Sequence, residues 1–378
     1  MSSKNLFKIS AAGSGKTWDI CNSALTFVEQ NNSRVLITTY TNRGVKSILK
    51  EIKKQNGGVL SSLIVVKTWY EFLLSDLLRP YQNHITGVSC NEIKSFDFTT
   101  LHGNRNYNKK GNKGRYINSS GYLYPSYSTE MAVYINETSG GLMIERLENV
   151  YNQVYVDETQ DLAGYDMNIL YLILKSNIDL ICCADSKQAT YCTHNTTKNK
   201  RYSGKNVLSF FSDSRISRLI SIEKNLNSRR FNEDICSFAN FVYPSDEPIT
   251  TIMKETTEHD GVFIISEEDL ELYYEYFKPC ILKYDIKTVT KGYNSVNFGA
   301  CKGETYDRVL IFPNKPFLDL LINNVQLSSP EKYYVAVTRP RYSLCFVLKH
   351  LPNKLNNFIS VTFNIGVKTI NALKYQST

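Results

Sequence analysis

The sequence contains no apolar run long enough to cross a membrane, and its first residues lack the hydrophobic segment of a signal peptide. Histidine is scarce, at five residues in 378, and the five show no metal-ligand spacing. These absences argue against a membrane-spanning, secreted or zinc-binding protein. We therefore expect a cytoplasmic protein without a membrane partner.

Cysteine pairs are also missing. The nine cysteines are an odd number, none belongs to a C-x-x-C pair, and Cys182 and Cys183 lie inside an apolar run. This pattern is typical of buried, reduced thiols rather than of disulfides.

What the chain does contain is enough apolar material for two folded domains, with 42% hydrophobic and 21% charged residues. The net charge of +8 permits a polyanionic partner but does not require one. The 26 tyrosines are compatible with a single-stranded nucleic acid as that partner, because stacking on unpaired bases requires an aromatic, basic surface.

Short apolar runs alternate with helical patterns along the chain, which predicts α/β domains with mostly parallel sheets. Two polar stretches interrupt the alternation. Residues 102–128 are predicted to be a long loop or the edge of an inserted subdomain, and residues 244–260 a second connection. The predicted strands are 6–9, 34–38, 63–66, 154–156, 180–183, 262–265, 308–312 and 343–348, and the predicted helices include 42–54, 163–175 and 232–241.

The stretch "LFKISAAGSGKTWDI", residues 6–20, is typical of a phosphate-binding loop between a strand and a helix. In such a loop the backbone N–H groups and the helix N-terminus face phosphates, Lys16 neutralises them, and Thr17 holds Mg²⁺. Ser10 replaces the first glycine of the pattern, whereas Gly13 and Gly15 are present. The alternative is a strand-to-helix turn of small residues.

The segment "VYVDETQDL", residues 154–162, places two carboxylates directly after an apolar strand. Asp157 has the position of a Mg²⁺-coordinating aspartate, and Glu158 that of a base for the attacking water. An acidic surface turn is the alternative.

These motifs, with others in the same order, resemble those of the UvrD/Rep-type superfamily 1 DNA helicases. The resemblance covers residues 6 to about 348. The matching stretches are "SAAGSGKT" (motif I), "LITTYTNRGVKSI" (Ia), "KTWYEFLL" (the next DNA-contacting motif), "VDETQD" (II), "CADSKQATY" (III), "NLNSRRFNEDICSFAN" (IV), "VNFGACKGETYDRVLI" (V) and "YVAVTRPR" (VI).

The resemblance implies two RecA-like P-loop domains, 1–214 and 215–378, with ATP in the cleft between them and a reduced insertion at about 83–150 in the first domain. It implies a catalytic role for Lys16, Glu158 and Gln188, with Arg230 and Arg339 as arginine fingers. The implied nucleotide contacts are Ala12, Gly13, Ser14, Gly15, Lys16, Thr17 and Arg229, and the implied Mg²⁺ ligands are Thr17 and Asp157.

For DNA, the resemblance implies that Tyr40 and Tyr191 stack on bases, with Thr39 and Asn42 near the strand backbone. In a chain this rich in tyrosine, the alternative for each ring is an ordinary core or surface position.

The sequence also departs from the family. The chain is too short before the loop to supply the usual adenine-reading glutamine, so we expect a weaker preference for adenine. Thr193 and His194 replace an aromatic–arginine pair of motif III, and Glu304 is displaced by one residue in motif V. The distance between motifs IV and V leaves no room for a large accessory insertion. This compact layout resembles that of the helicase subunit of the Gabija anti-phage system.

The expected function is an ATP-dependent motor that is stimulated by DNA, translocates on single-stranded DNA from 3′ to 5′, and could separate strands. The first alternative is an ATP- or DNA-sensing subunit that regulates a nuclease in an anti-phage or repair complex. A DNA-binding protein without turnover is the second. A small P-loop kinase fits neither "DETQD" nor "TRPR".

Overall fold

The computed structural model describes residues 5–87, 92–100, 109–193 and 197–377. The chain divides into two compact units, one of Met1–Ile9 and Lys16–Lys224, the other of Ser10–Gly15 and Asn225–Thr378. The boundary expected between residues 214 and 215 stays a prediction.

Unit 1 alternates strands with helices, as the sequence pattern predicts. Its strands are β1 (Leu6–Ser10), β2 (Val35–Thr39), β3 (Ile64–Thr68), β4 (Ser95–Phe96), β5 (Tyr122–Leu123), β6 (Gln153–Val156), β7 (Asp179–Ala184) and β8 (Ser221–Asn225). Its helices are α1 (Lys16–Asn31), α2 (Asn42–Gln55), α3 (Trp69–Phe72), which continues as a π-helix over Leu73–Leu78, α4 (Asn83–Thr86), α5 (Lys113–Tyr116), α6 (Ser128–Thr138), α7 (Leu142–Val150), α8 (Asp166–Leu174) and α9 (Val207–Phe211).

The main sheet of unit 1 has the order β3-β2-β6-β7-β1-β8. Strands β3, β2, β6, β7 and β1 pair in parallel along this order. Strand β2 is buried along its whole length, as expected of a central strand covered on both faces. The carboxyl ends of these strands share one edge of the sheet, so the residues that follow them lie close together.

A small parallel pair, β4 with β5, lies within the predicted insertion. The backbone bonds Lys94 N–H to Gly121 O and Asp97 N–H to Leu123 O, both 2.9 Å, extend this pair on either side. Asp97 Oδ1 then accepts the N–H of Thr99 (2.9 Å), which closes a turn around Phe98. Residues 101–108 lie outside the described residues, and 102–108 of them belong to the polar stretch at 102–128.

Unit 2 contains β9 to β17 and α10 to α13. Its strands are β9 (Asn227–Ser228), β10 (Thr250–Thr251), β11 (Gly261–Ser266), β12 (Cys280–Lys283), β13 (Val296–Asn297), β14 (Tyr306–Ile311), β15 (Pro340–Leu348), β16 (Phe358–Ile365) and β17 (Lys368–Tyr375). Its helices are α10 (Glu233–Val242), α11 (Leu270–Phe277), α12 (Lys315–Asn323) and α13 (Glu331–Val337).

The main sheet of unit 2 has the order β13-β12-β14-β15-β11-β17-β16. Strands β13 to β11 pair in parallel along this order, whereas β17 is antiparallel to β11 and to β16. The predicted α/β class with two largely parallel sheets is confirmed. The antiparallel hairpin β16–β17 is an addition that the sequence reading did not anticipate.

A buried histidine stabilises one side of unit 2. The ring of His259 stacks on Phe263 and Phe277, at centroid distances of 4.2 and 3.9 Å, and its Nε2 lies 2.9 Å from Tyr273 Oη. Burial, together with the positive charges of Arg308 and Lys374, lowers the pKa of His259 to about 3. The ring is therefore neutral in the folded protein at physiological pH.

Most cysteines of the described chain are buried, with Cys192 exposed and Cys280 half-buried. Burial raises the pKa of Cys182 to about 12, so this thiol stays protonated. A search of the described helices found none with the length and apolarity needed to span a membrane.

Candidate functional site

The glycine loop follows β1 and leads into α1. Gly13 and Gly15 have φ of +73° and +95°, backbone conformations that residues other than glycine rarely adopt. The N–H of Ser14 donates to Ala11 O (3.2 Å) and tightens the turn. The Ser14 hydroxyl is buried, and within the described residues it has no hydrogen-bond partner. The predicted phosphate contacts Ala12 to Gly15 thus form a tight turn that carries one unsatisfied hydroxyl.

Within unit 2, the loop packs against the chain that follows β8. The N–H of Arg229 donates to Gly13 O (2.8 Å), and the N–H of Ala11 donates to Asn225 O (2.9 Å). A Cβ at Gly13 would lie 2.5 Å from Arg230 Cβ and 2.7 Å from Ser228 Oγ. Only glycine fits at position 13, because both its backbone conformation and its neighbours exclude a side chain.

Lys16 and Thr17 begin α1, where the N–H groups of the first turn carry partial positive charge. Lys16 Nζ lies 3.8 Å from Asp185 Oδ2, and both side chains are largely buried, at 11% and 4% exposure. The lysine is therefore held at the carboxyl edge of the sheet, where β7 ends. Thr17 is half-buried.

Asp157 and Glu158 follow β6. The N–H of Asp157 donates to Thr38 O (2.8 Å), and Asp157 Oδ1 accepts the N–H of Glu158 (3.0 Å). Glu158 has φ of +56°, a left-handed conformation that is uncommon outside glycine. Asp157 is buried and Glu158 is half-buried, so the two neighbouring carboxylates have different surroundings.

Gln160 and Asp185 connect the acidic pair to the lysine. The side-chain amide of Gln160 donates to Glu158 Oε2, and its Oε1 accepts the N–H of Asp185 (3.1 Å). Asp185 Oδ2 in turn accepts the Gln188 amide (2.6 Å) and pairs with Lys16. We call Lys16, Glu158, Gln160, Asp185 and Gln188 the polar network.

The polar network brings together three residues that the sequence predicts as catalytic, Lys16, Glu158 and Gln188. Gln160 and Asp185 have no predicted role, although Gln160 lies in the motif "VDETQD" and Asp185 in the motif "CADSKQATY". Their positions inside these motifs are the sequence signal that could have identified them. The hydrogen bond between Gln160 and Asp185 depends on β6 and β7 being neighbours in the sheet, and a motif does not contain this information.

The three predicted arginines belong to unit 2. Arg339 is buried and donates through Nε to Val335 O (2.8 Å), through Nη1 to Glu304 O (3.2 Å) and through Nη2 to Thr338 Oγ1 (3.2 Å). Arg230 donates through Nη1 to Thr338 O (3.0 Å). Thr338 thus joins Arg230 and Arg339, while Arg229 is exposed.

Aromatic rings gather at the carboxyl ends of β2 and β3. The centroid of Tyr40 lies 5.8 Å from that of Tyr191 and 6.2 Å from that of Tyr70. Burial, followed by the nearby carboxylate of Asp161, raises the pKa of Tyr40, and burial also raises the pKa of Tyr70. Tyr191 remains 36% exposed. The two predicted stacking residues are therefore in contact, and Tyr70 extends their group.

The other predicted strand contacts differ in exposure. Thr39 is the last residue of β2 and is buried. Asn42 is exposed at the start of α2, whose N-cap Thr41 accepts the N–H of Gly44 (3.0 Å). Of these two side chains, only Asn42 is accessible to a strand.

A buried carboxylate supports the aromatic group from below the surface. Asp166 Oδ1 accepts the indole N–H of Trp69 (3.0 Å), and Oδ2 accepts the Ala163 N–H (3.1 Å) and the Thr193 hydroxyl. Thr193 O accepts the Tyr70 hydroxyl (3.1 Å). Thr193, which departs from the family pattern, thus helps to position Tyr70, while His194 lies outside the described residues.

A comparison with protein families matches residues 142–348, more than half of the chain, to the viral superfamily 1 RNA helicase core domain. The matched range contains Asp157, Gln188, Arg230 and Arg339, and the glycine loop precedes it. A comparison with curated proteins found no match.

Among solved structures, the chain is similar to the arterivirus nonstructural protein 10 helicase, with 13% identity and a TM-score of 0.46. It is also similar to the same helicase in complex with DNA, with 15% identity and a TM-score of 0.46. The matches cover 91% of this chain and 59% and 60% of those chains, so the chain spans less than two thirds of their length.

Proposed function

The chain belongs to the viral superfamily 1 RNA helicase core family, and from that premise we propose that it hydrolyses ATP to translocate along single-stranded DNA. We further propose that it is a compact relative of the UvrD/Rep type, which the order of its motifs supports. Family membership implies the use of a nucleoside triphosphate and a metal ion in general. The identity of both, ATP and Mg²⁺, is part of the proposal.

The polar network is the observation that carries this proposal. It holds the lysine of the glycine loop, the carboxylate after β6 and the glutamine after β7 in one set of hydrogen bonds and charge contacts. A surface turn of acidic residues would not bury Asp185 and Gln188 beside a lysine. Burying charged groups is costly unless they are paired and hydrogen-bonded, and such clusters recur at functional sites.

The residues present fit a nucleoside triphosphate with Mg²⁺. The buried hydroxyl of Ser14 lacks a partner within the described residues, and a phosphate oxygen would satisfy it. No group of three or more histidine, cysteine or acidic side chains in the described chain could hold a metal by itself. A Mg²⁺ ion held by Asp157 and Thr17 would therefore take its other ligands from phosphate and water, which is the usual arrangement for this ion.

Each residue of the site has a proposed task. Lys16 neutralises phosphate charge, and Glu158 accepts a proton from the attacking water. Gln188 senses the γ-phosphate from its anchor on Asp185. The bound ion would stabilise negative charge on the phosphates. Arg230 and Arg339 are proposed as arginine fingers, and Arg229 as a contact of the base.

The test is ATP hydrolysis by the purified chain with and without oligothymidylate, beside Lys16→Ala and Glu158→Gln. We expect turnover that rises with the oligomer and disappears in both variants. Lys53→Ala, which removes an exposed lysine from α2, is the matched control and should keep the wild-type rate. Absence of turnover in the wild type under both conditions would overturn the motor proposal and favour a binding protein.

RNA is the second candidate strand, because the family description names RNA helicases. The same assay with oligouridylate separates the two. Stimulation by oligouridylate alone would show that the DNA prediction is wrong while the motor proposal stands. Turnover without displacement of a strand from tailed duplexes would favour the regulatory subunit of a nuclease complex.

The proposal also includes the 3′ to 5′ direction, the nuclease partner, a role in antiviral defence and the cytoplasmic location. Polarity is measured by displacement from duplexes with 3′ or 5′ tails. A partner is tested by copurification with the products of neighbouring genes.

A further inference from the structure

Phe98 is an exposed aromatic residue next to the stacking residues, and no motif contains it. It is 58% exposed, the largest value for a phenylalanine among the described residues. A single exposed apolar side chain is ordinary on a protein surface. The position of this one in a connected set of rings is what distinguishes it.

The rings form a continuous series from Tyr191 to Phe98. Tyr191 contacts Tyr40 at a centroid distance of 5.8 Å, Tyr40 contacts Tyr70 at 6.2 Å, and Tyr70 contacts Phe98 at 5.2 Å. Phe96 supports the far end, at 4.9 Å from Tyr70 and 5.8 Å from Phe98. The two ends of the series, Tyr191 and Phe98, are exposed, whereas the middle is half-buried.

The contact of Phe98 with its neighbours leaves much of the ring accessible. Phe98 meets Tyr70 edge-on, with an interplanar angle of 83°. Phe96 is fixed by the β4–β5 pair and packs on the core, which gives Phe98 a firm base. An exposed ring on a firm support loses little conformational freedom when a flat partner stacks on it.

The turn that carries Phe98 is held by its own side chains. The Asp97 carboxylate accepts the hydroxyl of Thr99 (2.6 Å), the N–H of Thr99 (2.9 Å) and the N–H of Thr100 (3.2 Å), and these bonds lower its pKa. The charge of Asp97 is thus engaged with the hydroxyl and N–H donors of the turn. The net charge of the whole chain, +8, permits a polyanionic partner.

From this geometry we propose that Phe98 is a base-stacking residue that extends the strand site beyond Tyr40 and Tyr191. The occupant is an unpaired base of single-stranded nucleic acid, which has a flat, polarisable face suited to an exposed ring and a backbone charge opposite to that of the chain. This inference rests on the proposed function, since it lengthens the same strand site. Stacking is tolerant of base identity, so the site accepts DNA or RNA.

The test measures binding of fluorescein-labelled oligothymidylate and oligouridylate by fluorescence anisotropy, without nucleotide. Phe98→Ala and Phe98→Leu should both weaken binding by about 5- to 150-fold, the equivalent of roughly 1–3 kcal/mol per stacked base. Phe98→Trp should bind within about twofold of the wild type, because it keeps an aromatic face. Leu142→Ala, which truncates another exposed apolar side chain of unit 1 (49% exposed), is the matched control and should leave affinity unchanged.

A strand of the same length without bases completes the design. Phe98→Ala should bind this abasic strand as tightly as the wild type does, because no base is present to stack. Wild-type affinity for oligothymidylate and oligouridylate in Phe98→Leu would overturn the inference, since leucine keeps the apolar contact but not the ring. Equal losses on the abasic strand would overturn it too.

Tyr191→Ala distinguishes failure of the inference from failure of the proposed function. If Tyr191→Ala weakens binding and Phe98→Ala does not, the strand site exists and ends before Phe98. If the wild type binds neither oligomer, the proposed function itself fails. A loss confined to one of the two oligomers would support stacking by Phe98 on that strand and overturn the acceptance of both DNA and RNA.

Discussion

Replacing Gly13 with alanine tests how the glycine loop is held. The left-handed backbone at φ +73° costs a residue with a Cβ about 1–2 kcal/mol. The new Cβ would also lie 2.5 Å from Arg230 Cβ, whereas carbon atoms attract each other best at about 3.5–4.0 Å. Both atoms adjoin the backbone and cannot rotate away, so the loop or residues 228–230 must move, at about 1–3 kcal/mol. The total is about 2–5 kcal/mol.

Gly15→Ala is the matched variant, because it shares the left-handed backbone, at φ +95°, but a Cβ there would meet no atom within 4 Å. Its expected cost is the backbone term alone, about 1–2 kcal/mol. Hydrogen exchange followed by mass spectrometry measures the difference. Peptides covering residues 226–232 should exchange faster in Gly13→Ala than in Gly15→Ala. Equal exchange in the two variants would refute the packing of the loop on this segment.

Three further predictions concern buried titratable side chains. Asp185→Asn should lower the turnover number by about 100-fold with ATP affinity less affected, since small displacements of catalytic groups have effects of that size. Asp166→Ala should reduce the free energy of unfolding in urea by about 3–5 kcal/mol, because it leaves the indole N–H of Trp69 and the hydroxyl of Thr193 without this acceptor. Asp246→Ala, at an exposed position, is the control and should change the free energy of unfolding by less than about 0.5 kcal/mol. The pKa of His259 is lowered to about 3 in the folded protein, so this side chain binds a proton more readily in the unfolded chain. Its contribution to the free energy of unfolding should therefore be fully present above about pH 6.5. That free energy should fall by up to about 1.4 kcal/mol per pH unit as the pH drops from about 6.5 towards about 3. His259→Gln should remove this slope and exposed His350→Gln should keep it, and an unchanged slope in His259→Gln would contradict the assignment.

The strands could be predicted because each has a local signature. Every predicted strand overlaps an observed one, because buried parallel strands are short, almost wholly apolar runs that are recognisable in the sequence. Helix α8 begins at Asp166 rather than at residue 163, because the Ala163 N–H donates to the Asp166 carboxylate. The hairpin β16–β17 was missed although its first strand alternates, since its exposed positions are partly apolar, as at Ile359 (42% exposed).

The candidate site could be predicted only as far as motifs reach. A motif fixes which residues follow one strand, and this placed Lys16, Asp157 and Gln188 at strand ends. It does not state which strand ends are neighbours, so the bond between Gln160 and Asp185, 25 residues apart, stayed hidden. The contact of Phe98 with Tyr70 depends on the β4–β5 pair within the insertion, where no motif helps.

At Glu158 the left-handed backbone lowers the stability of the fold, while the side chain is the proposed proton acceptor. Its φ of +56° costs a glutamate roughly 1–2 kcal/mol that glycine would not incur. Glycine at this position would relax the chain and remove the carboxylate proposed to accept the proton. A laboratory selection for heat resistance alone would therefore favour loss of Glu158. Under the proposed mechanism, the more stable chains it yields are the ones that no longer turn over nucleotide.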